Sequence, residues 1–289
     1  MRKQAPIAVI AGGGDLPELV IRSAMAQGRD VVTIAIKGEA DASLFAFDPV
    51  ELGWGQIGKL FTTLKSRDVR DVVLIGSVQK RPDFTSILGD FGTMWRLPRI
   101  IAAVVGGDDH LLAKVAGIFK REGFCLVGAH EVAPDLVANP GHLAGPAPDK
   151  NAMNDMDLAI IAVDAVGRLD IGQGAVAVNA RVVAVEGAEG TDAMLERITA
   201  LRANGRVRSK GAAGVLVKCS KPQQDLRLDM PTVGPQTIQK AAEAQLSGVC
   251  VEAGRVLIAH REEVERLCND LGVFLYGCTR TEVFDADEG

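Results

Sequence analysis

Short apolar runs alternate with amphipathic stretches along most of the chain, and this alternation limits the fold more than any other feature. The first apolar run, residues 6–11 (PIAVIA), is followed by a glycine turn and then by a helical pattern that Gly28 ends. Residues 31–36 supply the next strand. Strands that alternate with helices build a mostly parallel, doubly wound sheet, so the sequence predicts an α/β fold.

The same alternation continues through the rest of the chain, and a tight hairpin turn is expected at Asn179-Ala180 between two Val-rich runs. The further predicted helices cover residues 57–66, 86–105, 109–122, 151–166, 191–203, 235–246 and 261–271. The further predicted strands cover residues 71–76, 124–129, 174–178, 181–186, 213–218, 248–252, 255–258 and 273–276.

A dense group of helix and strand breakers lies near the middle of the chain, with six Pro and Gly residues between 130 and 148. Such a density predicts a linker or a long surface connection. We therefore expect an N-terminal domain at 1–133, a linker at 134–149 and a distinct C-terminal α/β domain at 150–289.

Composition and charge exclude several classes of protein. The net charge of −5 and the lack of long Lys/Arg runs argue against a nucleic-acid partner. Five cysteines without paired spacing indicate reduced thiols in a cytoplasm, and four scattered histidines give no zinc signature. The longest aliphatic run, Ile100–Val105, is far shorter than the ~20 residues of a membrane span. The expected protein is soluble and cytoplasmic, with peripheral membrane contact left open.

The turn Gly12-Gly13-Gly14-Asp15 joins the first strand to the first helix. Backbone N–H groups of a glycine turn can approach a phosphate at a helix N-terminus. A dinucleotide fingerprint is not matched, because Pro17 replaces its third glycine and Lys37 follows the second strand where an acid would bind a ribose. The turn is therefore either a ligand-binding or a purely structural element.

The most informative segment is residues 217–235, VKCSKPQQDLRLDMPTVGP, which begins at the end of an apolar strand. Open α/β sheets bind their ligands at such strand ends. Basic side chains suit phosphate oxygens, and the carboxylates of Asp225 and Asp229 can hold Mg²⁺ or position a water molecule. The alternative is a solvated polar loop, but Pro222 and Pro231 make the segment stiff.

Several segments together resemble one family, the magnesium-dependent UDP-2,3-diacylglucosamine pyrophosphatases of some Gram-negative bacteria. The resemblance runs from about residue 6 to 277 and is carried by IAGGGDLP, DKNAMNDMDL, LDIGQ, VEGAEGTDAML and VKCSKPQQDLRLDMPTVGPQTI. It implies a Rossmann-like N-terminal domain, a distinctive C-terminal domain and a substrate cleft between them. It also implies hydrolysis of UDP-2,3-diacylglucosamine to UMP and 2,3-diacylglucosamine 1-phosphate during lipid A synthesis.

The site predicted on these grounds centres on Asp225, as a metal ligand or as the group that orients the attacking water. The catalytic candidates are Asp225, Gln224, Lys218 and Lys221, and the metal ligands for Mg²⁺ (or Mn²⁺) are Asp225 and Asp229. The substrate-binding candidates are Gly12, Gly13, Gly14, Asp15, Ser77, Gln79, Lys80 and Arg227.

Two other functions stay open from the sequence alone. The first strand-turn-helix unit by itself would suit a nicotinamide-dependent oxidoreductase. A non-catalytic module that binds a nucleotide or a lipid would also be compatible with the composition. Pro17 and Lys37 argue against the oxidoreductase.

Overall fold

A computed structural model describes residues 5–78 and 108–280 and confirms the α/β class. The chain divides into two compact units. The first contains Met1–Asp135 together with Asp225–Asp229, and the second contains Leu136–Gln224 together with Met230–Gly289. The short segment Asp225–Asp229 thus belongs to the first unit, although the residues on both sides of it belong to the second.

The first unit contains a parallel sheet with the strand order β3-β2-β1-β4-β5. Its strands are β1 (Ile7–Ala11), β2 (Val31–Ile36), β3 (Val50–Leu52), β4 (Asp71–Ile75) and β5 (Cys125–Leu126). Its helices are α1 (Leu16–Ala26), α2 (Ile57–Ser66), α3 (Asp108–Arg121) and α4 (Ala129–Val132), with a 3-10 turn at Ala42–Phe47.

The central strand explains why the apolar runs of this half are continuous and do not alternate with polar residues. Every residue of β1 is buried, as expected for a parallel strand covered on both faces. Phe61, Phe119 and Phe124 pack together in the core, with ring centroids of Phe61 and Phe119 5.3 Å apart. The strands therefore end at a common carboxyl edge, where parallel sheets bind ligands.

The second unit contains a mixed sheet with the strand order β6-β13-β11-β9-β7-β8, and a two-stranded sheet of β10 and β12. Its strands are β6 (Gly141–Ala144), β7 (Gly174–Ala177), β8 (Val182–Val185), β9 (Val215–Lys218), β10 (Thr232–Val233), β11 (Gly248–Glu252), β12 (Leu257–Ile258) and β13 (Phe274–Cys278). Its helices are α5 (Lys150–Arg168), α6 (Gly190–Ala203), α7 (Pro235–Glu243) and α8 (Arg261–Leu271).

Helices cover both faces of this six-stranded sheet. The strands β9, β11 and β13 run parallel, and β6 and β7 flank them in the antiparallel direction. Apolar side chains of α5 pack on one face, and those of α6, α7 and α8 pack on the other. The carboxyl ends of β9, β11 and β13 therefore lie side by side.

The predicted hairpin turn at Asn179-Ala180 is confirmed, and a buried carboxylate explains its shape. Both residues have positive φ, 52° and 60°, as a type I′ turn requires. The carboxylate of Asp155, only 3% exposed on α5, accepts the backbone N–H groups of Asn179 (3.0 Å) and Ala180 (2.6 Å). The turn is thus anchored to the helix behind it.

Local structure differs from the expectation in several places. The stretch 134–149, expected as a linker, contains β6, which pairs with β13 at the edge of the second sheet. Neither β3 nor β10 was predicted, because strands of two or three residues carry little periodicity. The predicted helix at 86–105 lies outside the described residues.

Candidate functional site

Two turns of the first unit meet at the carboxyl edge of its sheet, between the adjacent strands β1 and β4. Gly13 and Ser77 form a reciprocal pair of backbone hydrogen bonds, each with an N···O distance of 2.8 Å. A Cβ atom at Gly12 would lie 2.3 Å from the carbonyl oxygen of Ser77, so only glycine fits there. Chain connections reverse direction between β1 and β4, which is where open α/β sheets place their ligands.

The amides of the glycine turn already have partners in the protein. Gly12 N–H donates to the carbonyl of Ile75, and Gly13 N–H donates to that of Ser77. Gly14 N–H donates to a carboxylate oxygen of Asp41. A phosphate bound by Gly14 would therefore have to replace the Asp41 carboxylate, and the close packing of the turn is a structural reason for its glycines.

The helix that follows this turn begins as expected, with Leu16 as its first residue and Pro17 in its first turn. The side chain of Asp15 makes no capping hydrogen bond to the helix. Glu18 forms an ion pair with Arg22, with a closest distance of 2.7 Å. Of the substrate-binding candidates, Gln79 and Lys80 lie outside the described residues.

The segment Asp225–Asp229 is anchored in the first unit. The side chain of Leu228 packs against the core that lies around β1, β2 and β4. A Cβ atom at Gly128, just after β5, would lie 3.3 Å from the Cα of Arg227. The segment therefore passes close to the carboxyl end of β5.

Asp225 and Arg227 form a two-point ion pair. The carboxylate oxygens of Asp225 accept from Nε (2.9 Å) and Nη2 (2.6 Å) of Arg227, and also from its backbone N–H (3.1 Å). The hydrogen bonds from Arg227 hold the pKa of the Asp225 carboxyl below its ordinary value. The carboxylate is thus ionised at neutral pH, and its side chain remains 38% exposed.

Three other catalytic candidates, Lys218, Lys221 and Gln224, belong to the second unit. Lys218 is 8% exposed, and its ammonium group donates to Thr191 Oγ1 and to the carbonyl of Thr232, both at 3.0 Å. It therefore joins β9, α6 and β10 inside this unit.

Lys221 and Gln224 close a short turn within the same unit. Gln224 accepts the Lys221 backbone N–H on Oε1 at 3.0 Å, and its own N–H donates to the Lys221 carbonyl at 3.1 Å. The ammonium group of Lys221 pairs with Asp170. These contacts fix the backbone of the turn that leads to Asp225, a role that the sequence did not predict for either residue.

Sequence reasoning also missed a buried carboxylate at the end of β11. Glu252 is 4% exposed, and its Oε2 accepts from the backbone N–H of Ser220 (2.9 Å) and from its hydroxyl (2.8 Å). Its Oε1 lies 3.5 Å from Nε of Arg255 and 3.4 Å from Nε of Arg280. Glu252 thus holds the first residues after β9, where the charged segment begins.

The donor chemistry of Asp225 and Asp229 suits Mg²⁺, which binds through one or two carboxylates and completes its shell with water and substrate phosphates. Within residues 5–78 and 108–280, no group of three or more His, Cys, Asp or Glu side chains is placed to hold a metal ion. A metal ion at Asp225 would share that carboxylate with Arg227. Asp225 and Asp229 therefore fit a metal ion whose other ligands are water and substrate phosphates, and the described residues contain no complete ligand set.

Comparisons with known proteins cover both halves of the chain. Residues 6–136 match a family model described as the LpxI N-terminal domain, and residues 139–276 match the LpxI C-terminal domain. A curated relative from Caulobacter vibrioides (strain ATCC 19089 / CIP 103742 / CB 15), UDP-2,3-diacylglucosamine pyrophosphatase LpxI, is 41% identical over 277 residues. That alignment covers 96% of this chain and 98% of the relative.

A solved structure of a meso-dapdh mutant from Clostridium tetani E88 is 12% identical, and the alignment covers 90% of this chain and 73% of the chain in that structure. Its TM-score of 0.25 is too low to carry an argument about fold or function. The two family models and the curated relative agree over nearly the whole length. The chain therefore belongs to the LpxI family.

Proposed function

We propose that this chain hydrolyses the pyrophosphate bond of UDP-2,3-diacylglucosamine, releasing UMP and 2,3-diacylglucosamine 1-phosphate for lipid A synthesis. The observation that carries the proposal is the end-to-end similarity to a relative named for this pyrophosphatase activity. The ionised Asp225 and its partner Arg227 at the carboxyl edge of the first sheet supply charged groups suited to a diphosphate.

In this proposal Asp225 orients the attacking water or holds the metal ion, and Arg227 offsets negative charge on the phosphoryl oxygens. Mg²⁺ bound by Asp225 and Asp229 would supply further positive charge to the diphosphate. Lys218 and Lys221 hold the beginning of segment 217–235 in place through their contacts with Thr191 and Asp170. The buried position of Lys218 favours this supporting role over direct contact with phosphate.

The N-terminal unit is proposed to be Rossmann-like, because its strand order, β3-β2-β1-β4-β5, is that of the first five strands of this fold. The oxidoreductase alternative is not favoured. Lys37 follows β2, where an acid would bind the ribose of NAD, and the amide of Gly14 donates to Asp41.

The test is to incubate the purified chain with Mg²⁺ and UDP-2,3-diacylglucosamine and to measure UMP and lipid phosphate. Release of the two products in equal amounts supports the proposal. Binding of the substrate without turnover would favour a nucleotide- or lipid-binding module instead. A parallel fluorescence titration with NADH and NADPH tests the oxidoreductase alternative, for which a saturable signal is required.

Removal of divalent metal is expected to abolish the activity, and added Mg²⁺ or Mn²⁺ is expected to restore it. The physical reason is that the proposed ligands are hard carboxylate oxygens, which hold such ions weakly enough for EDTA to remove them. The rate of UMP release is measured after exhaustive chelation and again after the metal is restored. Full activity without metal would contradict a metal-assisted mechanism.

Peripheral contact with the cytoplasmic face of the inner membrane is also proposed, since the substrate carries two acyl chains. None of the described helices is long and apolar enough to cross a membrane. The candidate contact, residues 93–105 with Trp95 and Leu97, lies outside the described residues. It combines apolar bulk with Arg96 and Arg99, which suit anionic headgroups.

Replacing Trp95 and Leu97 by Ser is expected to weaken binding to anionic vesicles and to raise KM for the lipid. The apolar side chains would enter the headgroup region, and Ser would remove that favourable transfer. Vesicle co-sedimentation and steady-state kinetics measure the two effects. A folded variant that keeps both values would show that the segment only packs within the protein.

A further inference from the structure

His130 lies on the short helix α4, just after β5, at the carboxyl edge of the first sheet. Its ring packs directly over Gly128, since a Cβ atom there would lie 2.3 Å from Cε1 and 2.4 Å from Nδ1 of His130. The same Cβ would lie 3.3 Å from the Cα of Arg227. Gly128 thus leaves room for the imidazole beside the segment that carries Asp225.

The Nδ1 atom of His130 has no hydrogen-bond partner within the described part of the chain. Nδ1 is buried and unpaired, which is rare for a polar atom inside a protein and calls for an explanation. An unpaired buried acceptor is tolerated more readily than an unpaired buried N–H. The tautomer with the proton on Nε2 is therefore favoured, and it makes Nε2 a hydrogen-bond donor.

Charged groups surround this ring. The pKa of the Asp225 carboxyl is lowered first by its hydrogen bond with Arg227, and His130 is near enough to lower it further. Glu131 accepts the backbone N–H of Gly128 at 2.8 Å and contributes to the raised pKa of Arg227, whose largest cause is the hydrogen bond with Asp225. The imidazole is therefore near the Asp225–Arg227 pair and is not bonded to it.

We infer that His130 is a substrate-contacting residue, whose Nε2–H donates a hydrogen bond to a phosphoryl oxygen of the diphosphate that reacts at Asp225. The inference rests on the proposed function and adds a residue to it. A donor fixed by packing over Gly128 would stabilise negative charge that grows on the phosphoryl oxygens as water attacks. The ring contact through Cε1 and Nδ1 leaves Nε2 as the nitrogen for the ligand.

Three substitutions separate hydrogen bonding from space filling. His130→Ala removes the donor, and kcat for UMP release is expected to fall about 10²-fold, the effect of losing one donor to a developing charge. His130→Gln places an amide nitrogen near the Nε2 position and is expected to recover much of the loss. His130→Asn places its amide near the Nδ1 position and is expected to remain as slow as the Ala variant.

Gly128→Ala tests the placement of the ring without changing its chemistry. The backbone of Gly128 has φ −77° and ψ 153°, which alanine adopts freely, so the added methyl group acts mainly by displacing the ring, with a second, looser contact 3.3 Å from the Cα of Arg227. This variant is expected to lower kcat in the manner of His130→Ala. His142→Ala, which removes an exposed histidine bonded to the carbonyl of Pro146 at 3.2 Å, is the matched control and should keep full activity.

The experiment measures kcat, KM and the thermal unfolding midpoint for all five variants beside the unaltered chain. A slow Ala variant, recovery with Gln and unchanged unfolding midpoints support the inference. Ala turnover equal to that of the unaltered chain, or a Gln variant as slow as Ala, overturns it while the proposed function stands. If the unaltered chain itself releases no UMP, the proposed function fails and the inference fails with it.

Discussion

Replacing Asp225 by Asn or Ala is expected to lower kcat for UMP release about 10²–10⁴-fold, the usual effect of removing a positioned catalytic group. Asn keeps the shape of the side chain and removes its charge, whereas Ala removes both. Because Asp225 is ionised and partly exposed beside Arg227, it can face a metal ion or a water molecule as well as the diphosphate. Steady-state kinetics of both variants give the effect.

The stability of these variants should change little. The Asp225–Arg227 pair is exposed by 38% and 51%, and exposed ion pairs contribute about 0–1 kcal/mol to folding. Substrate binding is expected to persist, because uracil, sugar and acyl chains supply further contacts. The Asp225→Ala variant should therefore bind uncleaved substrate, which isothermal titration can measure.

Asp270→Asn provides the matched control, since Asp270 is also an exposed carboxylate paired with an arginine, Arg266 at 3.3 Å. Its turnover should equal that of the unaltered chain. Near-normal turnover by a folded Asp225→Ala protein would remove Asp225 from the site. Asp229 and Glu189 would then be the next carboxylates to replace.

The elements with strong periodicity could be predicted from the sequence alone. The observed bounds of β2, α2, β11 and α8 coincide with the predicted ones, because buried parallel strands read as continuous apolar runs and surface helices as amphipathic ones. The edge strand β6 could not be predicted. Its residues, Gly141–Ala144, have no alternating pattern, and only pairing with β13 makes them a strand.

The candidate site was predictable in its residue types but not in its arrangement. Charge and stiffness singled out residues 217–235, yet nothing in that pattern shows that Asp225–Asp229 belongs to the first unit. The anchor is Leu228, whose contacts are distant in sequence. His130 could not be predicted from the sequence either, because Gly128 and Arg227 come together beside it only in the folded chain.

Burial also changes how the charged residues of this segment are understood. Lys218 looks like a phosphate ligand in the sequence, but it is buried and bonded to Thr191 and Thr232. A buried lysine must be satisfied by the surrounding protein, since an unpaired buried charge is costly. Glu252 was not predicted as a site residue from the sequence, yet its carboxylate accepts two hydrogen bonds from Ser220, near the start of segment 217–235.

Replacing Glu252 by Ala is expected to lower the free energy of unfolding by about 3–5 kcal/mol, the usual cost of breaking a buried ion pair by removing one partner. The change leaves the N–H and hydroxyl of Ser220 without their acceptor and removes the carboxylate near Arg255 and Arg280. Arg280 keeps a contact with Asp164 at 3.2 Å, which limits the loss.

Glu252→Gln separates the hydrogen bonds from the charge, because its amide oxygen can still accept from Ser220 while Arg255 and Arg280 lose the negative charge of Glu252. Its loss of stability should therefore lie between those of the unaltered chain and the Ala variant. Glu263→Ala is the control, since Glu263 is 47% exposed and lies 3.8 Å from Arg266 on α8. Urea unfolding followed by circular dichroism measures all three variants. A Glu252→Ala protein as stable as the control would show that the residues after β9 are held in place without this carboxylate. The 2.7 Å hydrogen bond from Arg255 to the hydroxyl of Ser220 would then be sufficient to fix them.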